Sequence, residues 1–253
     1  MKHALMISIS LSLLAWHTLS QDVSGQDEDG FVSLFNGKNF DGWVVPEGDN
    51  GHWKVVDGVI DYDARSEAPG RDKSLWSEKE YGDFILKIDW RIKETTGLYA
   101  MPIILPDGTH VQDSSGKDIK IKLPNADSGI YLRGVGKSQI NIWCWPIGSG
   151  EVYGYRMDKS MPPEVRAGVT PKVNADNPVG QWNSFILVVT GERLSVILNN
   201  KQVITNAQLP GMPSKGKIAL QHHGGFRDGK YSPASSLVQF RNISIKELDA
   251  PAP

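Results

Sequence analysis

The sequence predicts an all-β protein, a two-sheet antiparallel sandwich or jelly roll, and three observations point there. Apolar residues alternate with a period of two in run after run, the pattern of strands with one buried face. No long stretch beyond the first residues shows a 3.6-residue repeat. Turn dipeptides separate the runs in a chain with 26 Gly and 15 Pro, and about a dozen short strands fit one sandwich domain.

Residues 1–20 combine a basic start at Lys2, an apolar run from Ala4 to Trp16, and small residues at Thr18 and Ser20. That is the layout of a secretory signal peptide cleaved near Ser20–Gln21, with Gly25–Gln26 as a second choice. The run is too short and too rich in serine for a membrane span, and no later segment approaches the ~20 apolar residues a spanning helix needs. No Cys lies near the cleavage region, which argues against a lipid anchor. Residues 21–30 are polar and acidic and read as a disordered leader. The domain proper runs over 31–248, followed by a tail at 249–253. An exported protein, periplasmic or extracellular, is the expectation.

Net charge is −2 with both signs scattered, so nothing argues for nucleic acid or an anionic membrane as partner. The single Cys144 cannot form an internal disulfide, and its place among apolar neighbours favours a buried thiol. The sequence leaves the oligomeric state open.

A first strand is expected within Phe31–Phe35, ending at the turn dipeptide Asn36-Gly37. Trp53–Val56 and Val59–Tyr62 flank Asp57-Gly58, a hairpin signal because both central residues of a type I′ turn need positive φ. In Asp83–Ile92, Phe84, Leu86, Ile88 and Trp90 alternate with Lys87, Asp89 and Arg91, which predicts a half-buried strand. Residues 95–124 break into Pro, Gly, Asp and Lys, an inserted loop or hairpin suited to substrate contacts. A second loop is expected over 157–178. Trp182–Thr190 is apolar on both faces after Asn183, as for a strand covered on both sides, and Leu194–Ile204 reads as a hairpin turning at Asn199-Asn200. Lys217–Gly224 and Leu237–Leu248 supply the closing strands.

The stretch from Ala126 to Tyr155 is unusual. Ile130 and Leu132 share one face of a strand, with Tyr131 and Arg133 on the other. In the next strand Ile140, Ile142 and Cys144 oppose Gln139, Asn141, Trp143 and Trp145. Aromatic rings, planar amides and a guanidinium on one face are the equipment for a carbohydrate. Trp143 and Trp145 would stand roughly 6.5–7 Å apart for stacking on a sugar ring, with Gln139 and Asn141 bonding its hydroxyls. The alternative is that these tryptophans fill a gap under a loop. In Gln221–Gly224, Q-H-H-G, His222 shares the parity of Ile218 and Leu220, whereas Gln221 and His223 share the polar one. His223 is therefore the candidate for proton transfer, against the plainer reading of a histidine that bonds a loop. With no H-x-H or H-E-x-x-H, neither a metal site nor a cofactor is assigned. Curved-sandwich glycosidases carry acids as E-x-D-x-x-E, and the nearest equivalent is Q-I-N-I-W-C from Gln139, with amides in place of carboxylates. Glu151 is the carboxylate near that strand in sequence.

Several motifs recur together: L-F-N-G-K-N-F-D-G-W (Leu34–Trp43), W-K-V-V-D-G-V-I (Trp53–Ile60), the segment Leu75–Trp90, D-S-G-I-Y-L-R-G, Q-W-N-S-F, L-N-N-K-Q-V, I-A-L-Q-H-H-G and F-R-N-I-S-I-K-E-L. As a set they resemble the 3-keto-disaccharide hydrolase domain family over nearly all of Phe31–Leu248. That family is similar in fold to the concanavalin A-like lectins and glucanases. The resemblance implies action on glycosides already oxidised at C3. A C3 ketone acidifies the C2 proton, so a base removes it, the C1 substituent leaves by elimination, and water then adds. On this resemblance His223 is base or acid, Arg133 the electrostatic stabiliser, and Glu151 or Tyr155 the proton partner, with Tyr131 and Gln221 beside the amides and tryptophans as substrate contacts. Many members carry an acidic residue in the strand that reads Q-I-N-I here, and this chain departs from them at Gln139 and Asn141. Three readings follow: an exported enzyme cleaving 3-keto-glycosides, a non-catalytic sugar-binding module using the same groove, and a structural domain whose tryptophans only pack.

Overall fold

A computed structural model describes residues 29–232 and 234–249. The signal peptide and most of the leader and tail expected from the sequence lie outside the described residues.

In chain order the strands are β1 (Val32–Ser33), β2 (Trp43–Val44), β3 (Trp53–Val56), β4 (Val59–Tyr62), β5 (Leu75–Tyr81), β6 (Phe84–Ile92), β7 (Leu98–Pro102), β8 (Lys120–Pro124), β9 (Asp127–Leu132) and β10 (Val135–Trp143). Two short helices follow, α1 (Tyr153–Met157) and α2 (Pro163–Gly168). The chain returns to strands with β11 (Asn183–Thr190), β12 (Arg193–Leu198), β13 (Lys201–Gln208), β14 (Gly216–Leu220), β15 (Gly225–Arg227), β16 (Lys230–Ser232) and β17 (Val238–Glu247). One antiparallel sheet runs β13-β12-β11-β6-β17-β4-β3 with β1 on β17, and a second runs β10-β9-β14-β5-β2. The fold is the predicted all-β, two-sheet antiparallel jelly-roll sandwich.

Alternation explains which face each strand buries. On β6 the residues Phe84, Leu86, Ile88 and Trp90 are buried, and they join Ile130, Leu132, Ile140 and Ile142 of the second sheet in one core. Turn chemistry fixes register. Asp57 and Gly58 both take positive φ between the paired residues Val56 and Val59, and Asn199 and Asn200 do the same between Leu198 and Lys201.

Two expectations need correction. On β11, Phe185, Leu187 and Val189 are buried, but Ile186 and Val188 are only half-buried. They point to the open outer face of the eight-stranded sheet, where Ile186 lies opposite Lys87. The loop expected over 157–178 contains α2, which starts with Pro163 in its first turn. Proline there has its φ preset for helix and loses no internal bond, and six residues are too few to display a period.

Two polar anchors brace the sandwich. Arg133 and Gly134 both have positive φ and form the β9–β10 turn, so the Arg133 side chain leaves the sheet at its end. Its guanidinium is fully buried, bonding the Gly82, Gly191 and Pro213 carbonyls and, at 2.6 Å, the Asp83 carboxylate. On the large sheet, Tyr62 stacks on Trp53 at 3.9 Å, and its hydroxyl is hydrogen-bonded to Nδ1 of His222 over 2.6 Å. Burial, with Lys73 and His223 nearby, lowers the His222 pKa to about 4, and burial raises that of Tyr62, so both partners of this bond are neutral.

Arg133→Ala leaves Asp83 with only the Gly191 backbone N–H and takes the guanidinium donor from three carbonyls; a loss of about 3–5 kcal/mol of stability is expected, read from urea unfolding. A stability profile against pH tests the second anchor. Between about 6.5 and 4 the unfolded chain takes up a proton at His222 that the folded chain does not, so stability falls as pH falls through this window. His222→Asn keeps an acceptor for Tyr62, and its profile is expected to be shallower there; an unchanged slope would contradict the assignment.

Candidate functional site

The outer face of the five-stranded sheet carries the site. Strand parity sends Gln139, Asn141 and Trp143 outward from β10, and β9 sends Asp127, Gly129 and Tyr131 outward beside them. Gln139 donates through Nε2 to Asn141 Oδ1 at 2.5 Å and to Gln221 Oε1 at 2.7 Å, and Gln221 returns a bond from its Nε2 to Gln139 Oε1 at 3.1 Å. The amides thus lock into a floor. Gly129 makes room for it: a Cβ there would lie 2.8 Å from Gln139 Cγ and 2.7 Å from the Ile140 carbonyl oxygen.

Beneath and beside the floor runs a chain of ionisable groups. Glu151 is completely buried, accepts from Asn141 Nδ2 at 3.4 Å, and is ion-paired with Arg156 through its Nε. Burial pushes the Glu151 carboxyl up to about 7, against the pull of Arg156. Arg156 Nη1 donates to His110 Nε2 at 3.0 Å, which places the His110 proton on Nδ1, where it is donated to Asp118 Oδ2 at 2.8 Å. The His110 bond in turn holds the Asp118 carboxyl below its usual range. Here the insertion expected over 95–124 becomes visible as the β7–β8 hairpin, extended by an Ile104–His110 bridge. His110 and Asp118 sit in that excursion and tie it to the floor through Arg156.

Opposite this chain stand Asp127 and His223. His223 Nδ1 lies 2.6 Å from the Ala234 carbonyl oxygen, an acceptor only, so Nδ1 carries a proton, and in the neutral ring the lone pair falls on Nε2. That Nε2 is 3.9 Å from Asp127 Oδ2, and the His223 side chain is 42 % exposed. Buried Ser236 fixes the two residues together: its Oγ accepts from the His223 backbone N–H and donates to the Asp127 backbone carbonyl, both at 2.7 Å. The other carboxylate oxygen, Asp127 Oδ1, is buried with no hydrogen-bond partner among the described residues, and so is Asn125 Nδ2. Burial raises the Asp127 pKa and His223 opposes the shift.

These groups line one cavity of about 530 Å³, together with Tyr99, Met101, Lys120, Tyr153 and Met157. Gln139, Asn141, Trp143, Trp145, Gln221 and His223 of the residues expected from the sequence all reach it. Others do not. Arg133 braces the far end of the sheet, because its strand parity stops at the turn. Tyr155 is buried on α1 with its hydroxyl bonded to the Pro210 carbonyl. Glu151 lies behind the floor. Tyr131 stacks on Trp76 next to Gln221, at the cavity's edge. The tryptophans depart from expectation as well: β10 ends at Trp143, the chain bends, and the rings of Trp143 and Trp145 stack on each other 3.8 Å apart. The wall they form is one double thickness of indole. Sequence reading missed Asp127, Arg156 and His110. Only Asp127 had a signal, its outward parity with Gly129 and Tyr131. Among the described residues no three His, Cys, Asp or Glu side chains gather as a metal-binding group.

Three structures of proteins from Parabacteroides distasonis ATCC 8503, provisionally named glycosyl hydrolases, share this fold. The first is 21 % identical with a TM-score of 0.54, covering 87 % of this chain and 95 % of its own. The second is 20 % identical at 0.53, over 86 % and 84 %, and the third 19 % identical at 0.50, over 86 % and 99 %. No protein with a curated description matches the sequence. The profile of one family, however, matches residues 30–246, all of both sheets but the last residue of β17, and the cavity between Asp127 and Arg156, and the chain belongs to that family, the 3-keto-alpha-glucoside-1,2-lyase-like domains.

Proposed function

We propose that the protein is an exported enzyme that cleaves glycosides or disaccharides oxidised at C3 of the sugar, by elimination followed by hydration. The observation that carries this reading is the Asp127–His223 pair, a free imidazole lone pair facing a carboxyl of raised pKa in an amide-floored cavity. A proton acceptor and a proton donor that face each other in one cavity are what general acid–base catalysis requires.

In the proposed reaction His223 Nε2 takes the proton from C2, and the electrons of that C–H bond form the C2=C3 bond of the enolate as the C3 carbonyl oxygen takes up the negative charge. Arg156, buried and cationic at the cavity wall, is the fixed positive charge nearest the floor and stabilises the enolate oxygen. The enolate then expels the C1 substituent: the C1–O electron pair leaves with the aglycone oxygen, which receives the proton of Asp127. Water adds across C1=C2, hydroxyl to C1 and proton to C2, so the sum is hydrolysis with no net oxidation. The floor of Gln139, Asn141 and Gln221 orients the sugar hydroxyls. The same floor favours one other reading, a sugar-binding module without turnover, because interlocked amides are a recognition surface in their own right.

A 3-keto-trehalose or chromogenic 3-keto-glucoside assay separates the two. Product is expected from wild type, and His223→Ala and Asp127→Asn are each expected to lower kcat/KM by at least ~100-fold. Sugar binding without product would support the binding module, and wild-type rates in both variants would overturn the assigned roles. The pH profile carries a sign. Asp127 acts while protonated, so rising pH ionises it and activity falls on the alkaline side. The residual activity of Asp127→Asn is expected to lack that limb. Gly129→Ala tests the floor: its Cβ meets both the Gln139 side chain and the Ile140 carbonyl oxygen, so amide and ladder must both give, and an increase in KM of at least about tenfold is expected.

A further inference from the structure

The β15–β16 hairpin stands apart from both large sheets, and along the chain it lies between His223 and Ala234, whose carbonyl accepts from His223 Nδ1–H. It has only the pairs Gly225–Ser232, Phe226–Tyr231 and Arg227–Lys230, closed by Asp228 and Gly229 at positive φ. A two-stranded ribbon of that length is marginal by itself in water, so its position depends on support from outside.

Arg65, in the corner after β4, supplies that support. Its guanidinium carbon lies 4.1 Å from the centre of the Phe226 ring and 5.4 Å from that of Tyr231. Its Nε donates to the Tyr231 hydroxyl at 3.2 Å. The two rings meet edge to face with centroids 4.8 Å apart, so the cation rests against a paired aromatic platform. The corner aims it. Ala64 is buried in the left-handed region at φ 58, a conformation an L-residue takes only at a cost. Next to it the Arg65 backbone N–H donates to Asp63 Oδ1 at 3.2 Å, and Asp63 is held by His52 Nδ1 at 2.9 Å.

The far side of the hairpin leads to the base. The Ser235 hydroxyl lies 2.5 Å from the Ser232 carbonyl and 3.3 Å from that of Gly225, tying both strands to the residue after Ala234. Gly224, at φ 69, closes on the same segment: a Cβ there would lie 2.7 Å from Ser235 Cα and 2.9 Å from the Ala234 oxygen. The two ends of the hairpin therefore place the carbonyl that stands 2.6 Å from His223 Nδ1.

We propose that Arg65 is a positioning residue: by clamping Phe226 and Tyr231 it keeps the Ala234 carbonyl on His223 Nδ1–H and leaves the Nε2 lone pair toward Asp127. Arg65 does not line the cavity, so its influence on the base passes through the hairpin. The effect on turnover rests on the base role proposed for His223; the effect on the tautomer does not.

Long-range proton–nitrogen NMR correlation of the full chain reads the tautomer directly, at a pH where imidazole is neutral, with the His223 signals assigned by their loss in His223→Gln. Wild type is expected to show the proton on Nδ1. Arg65→Ala and Phe226→Ala, both at exposed positions, are each expected to mix in the form with the proton on Nε2. The double variant is expected to shift no further, because the two side chains act as one contact. A fall of the competent tautomer to about a tenth would lower kcat on a 3-keto-glucoside about tenfold, with KM little changed. A tautomer shift in a protein whose wild type has no turnover would keep this inference and remove the enzyme reading. An unchanged tautomer in both single variants would overturn the inference whatever the rates, as would a wild type with its proton on Nε2.

Discussion

Everything on the outer face of the five-stranded sheet depends on one constraint: polar groups set there are covered by the rest of the chain, and each then needs a partner. Gln139, Asn141, Gln221, Glu151 and Arg156 are all buried. Leaving one amide or carboxylate unmatched costs about 1–3 kcal/mol, against a total stability of about 5–15 kcal/mol for a domain. The network answers by closing on itself, from Gln221 through Gln139, Asn141, Glu151, Arg156 and His110 to Asp118 at the surface. A closed network is rigid, and rigidity gives a cavity with fixed donors and acceptors. The exceptions, Asp127 Oδ1 and Asn125 Nδ2, both belong to residues lining the cavity.

Two arginines show how the same side chain is put to different ends. Arg133 ends in carbonyls and Asp83 at a turn, where the bonds join the β9–β10 hairpin to the loops after β5 and β11. Arg156 shares its charge between Glu151 and His110 and lines the cavity. The first arrangement satisfies an arginine with four acceptors outside the cavity; the second places positive charge where a ligand can meet it. Placement within the fold separates a brace from a candidate stabiliser.

Much of this was legible along the chain because strands and tight turns are local. Parity put Gln139, Asn141 and Trp143 on one face, and turn chemistry put Asp57-Gly58 and Asn199-Asn200 in turns. It failed at Arg133 for the same reason it worked elsewhere: the period of two holds only while the strand continues, and Gly134 marks where it stops. His110 and Arg156 were illegible because their meeting joins segments 46 residues apart through an irregular excursion. No period or spacing encodes such a contact. Trp145 was misread by two residues of chain, since the strand ends at Trp143 and the next ring folds back on it.

The amides of β10 raise the sharpest question about chemistry, since the resemblance to this family implies an acidic residue, in many members, on the strand that reads Q-I-N-I here. Register answers it. Asp127 is the residue paired with Trp143 across the β9–β10 ladder, so its outward carboxylate lies on the neighbouring strand, two positions along from Asn141. One strand over and two residues along, that carboxylate stands roughly 8 Å from the place of Asn141. From there Asp127 faces His223, which a carboxylate on β10 at Gln139 would approach only across the space Gln221 occupies. In the proposed reaction the amides on one strand would hold the sugar and the acid on the next would move its protons.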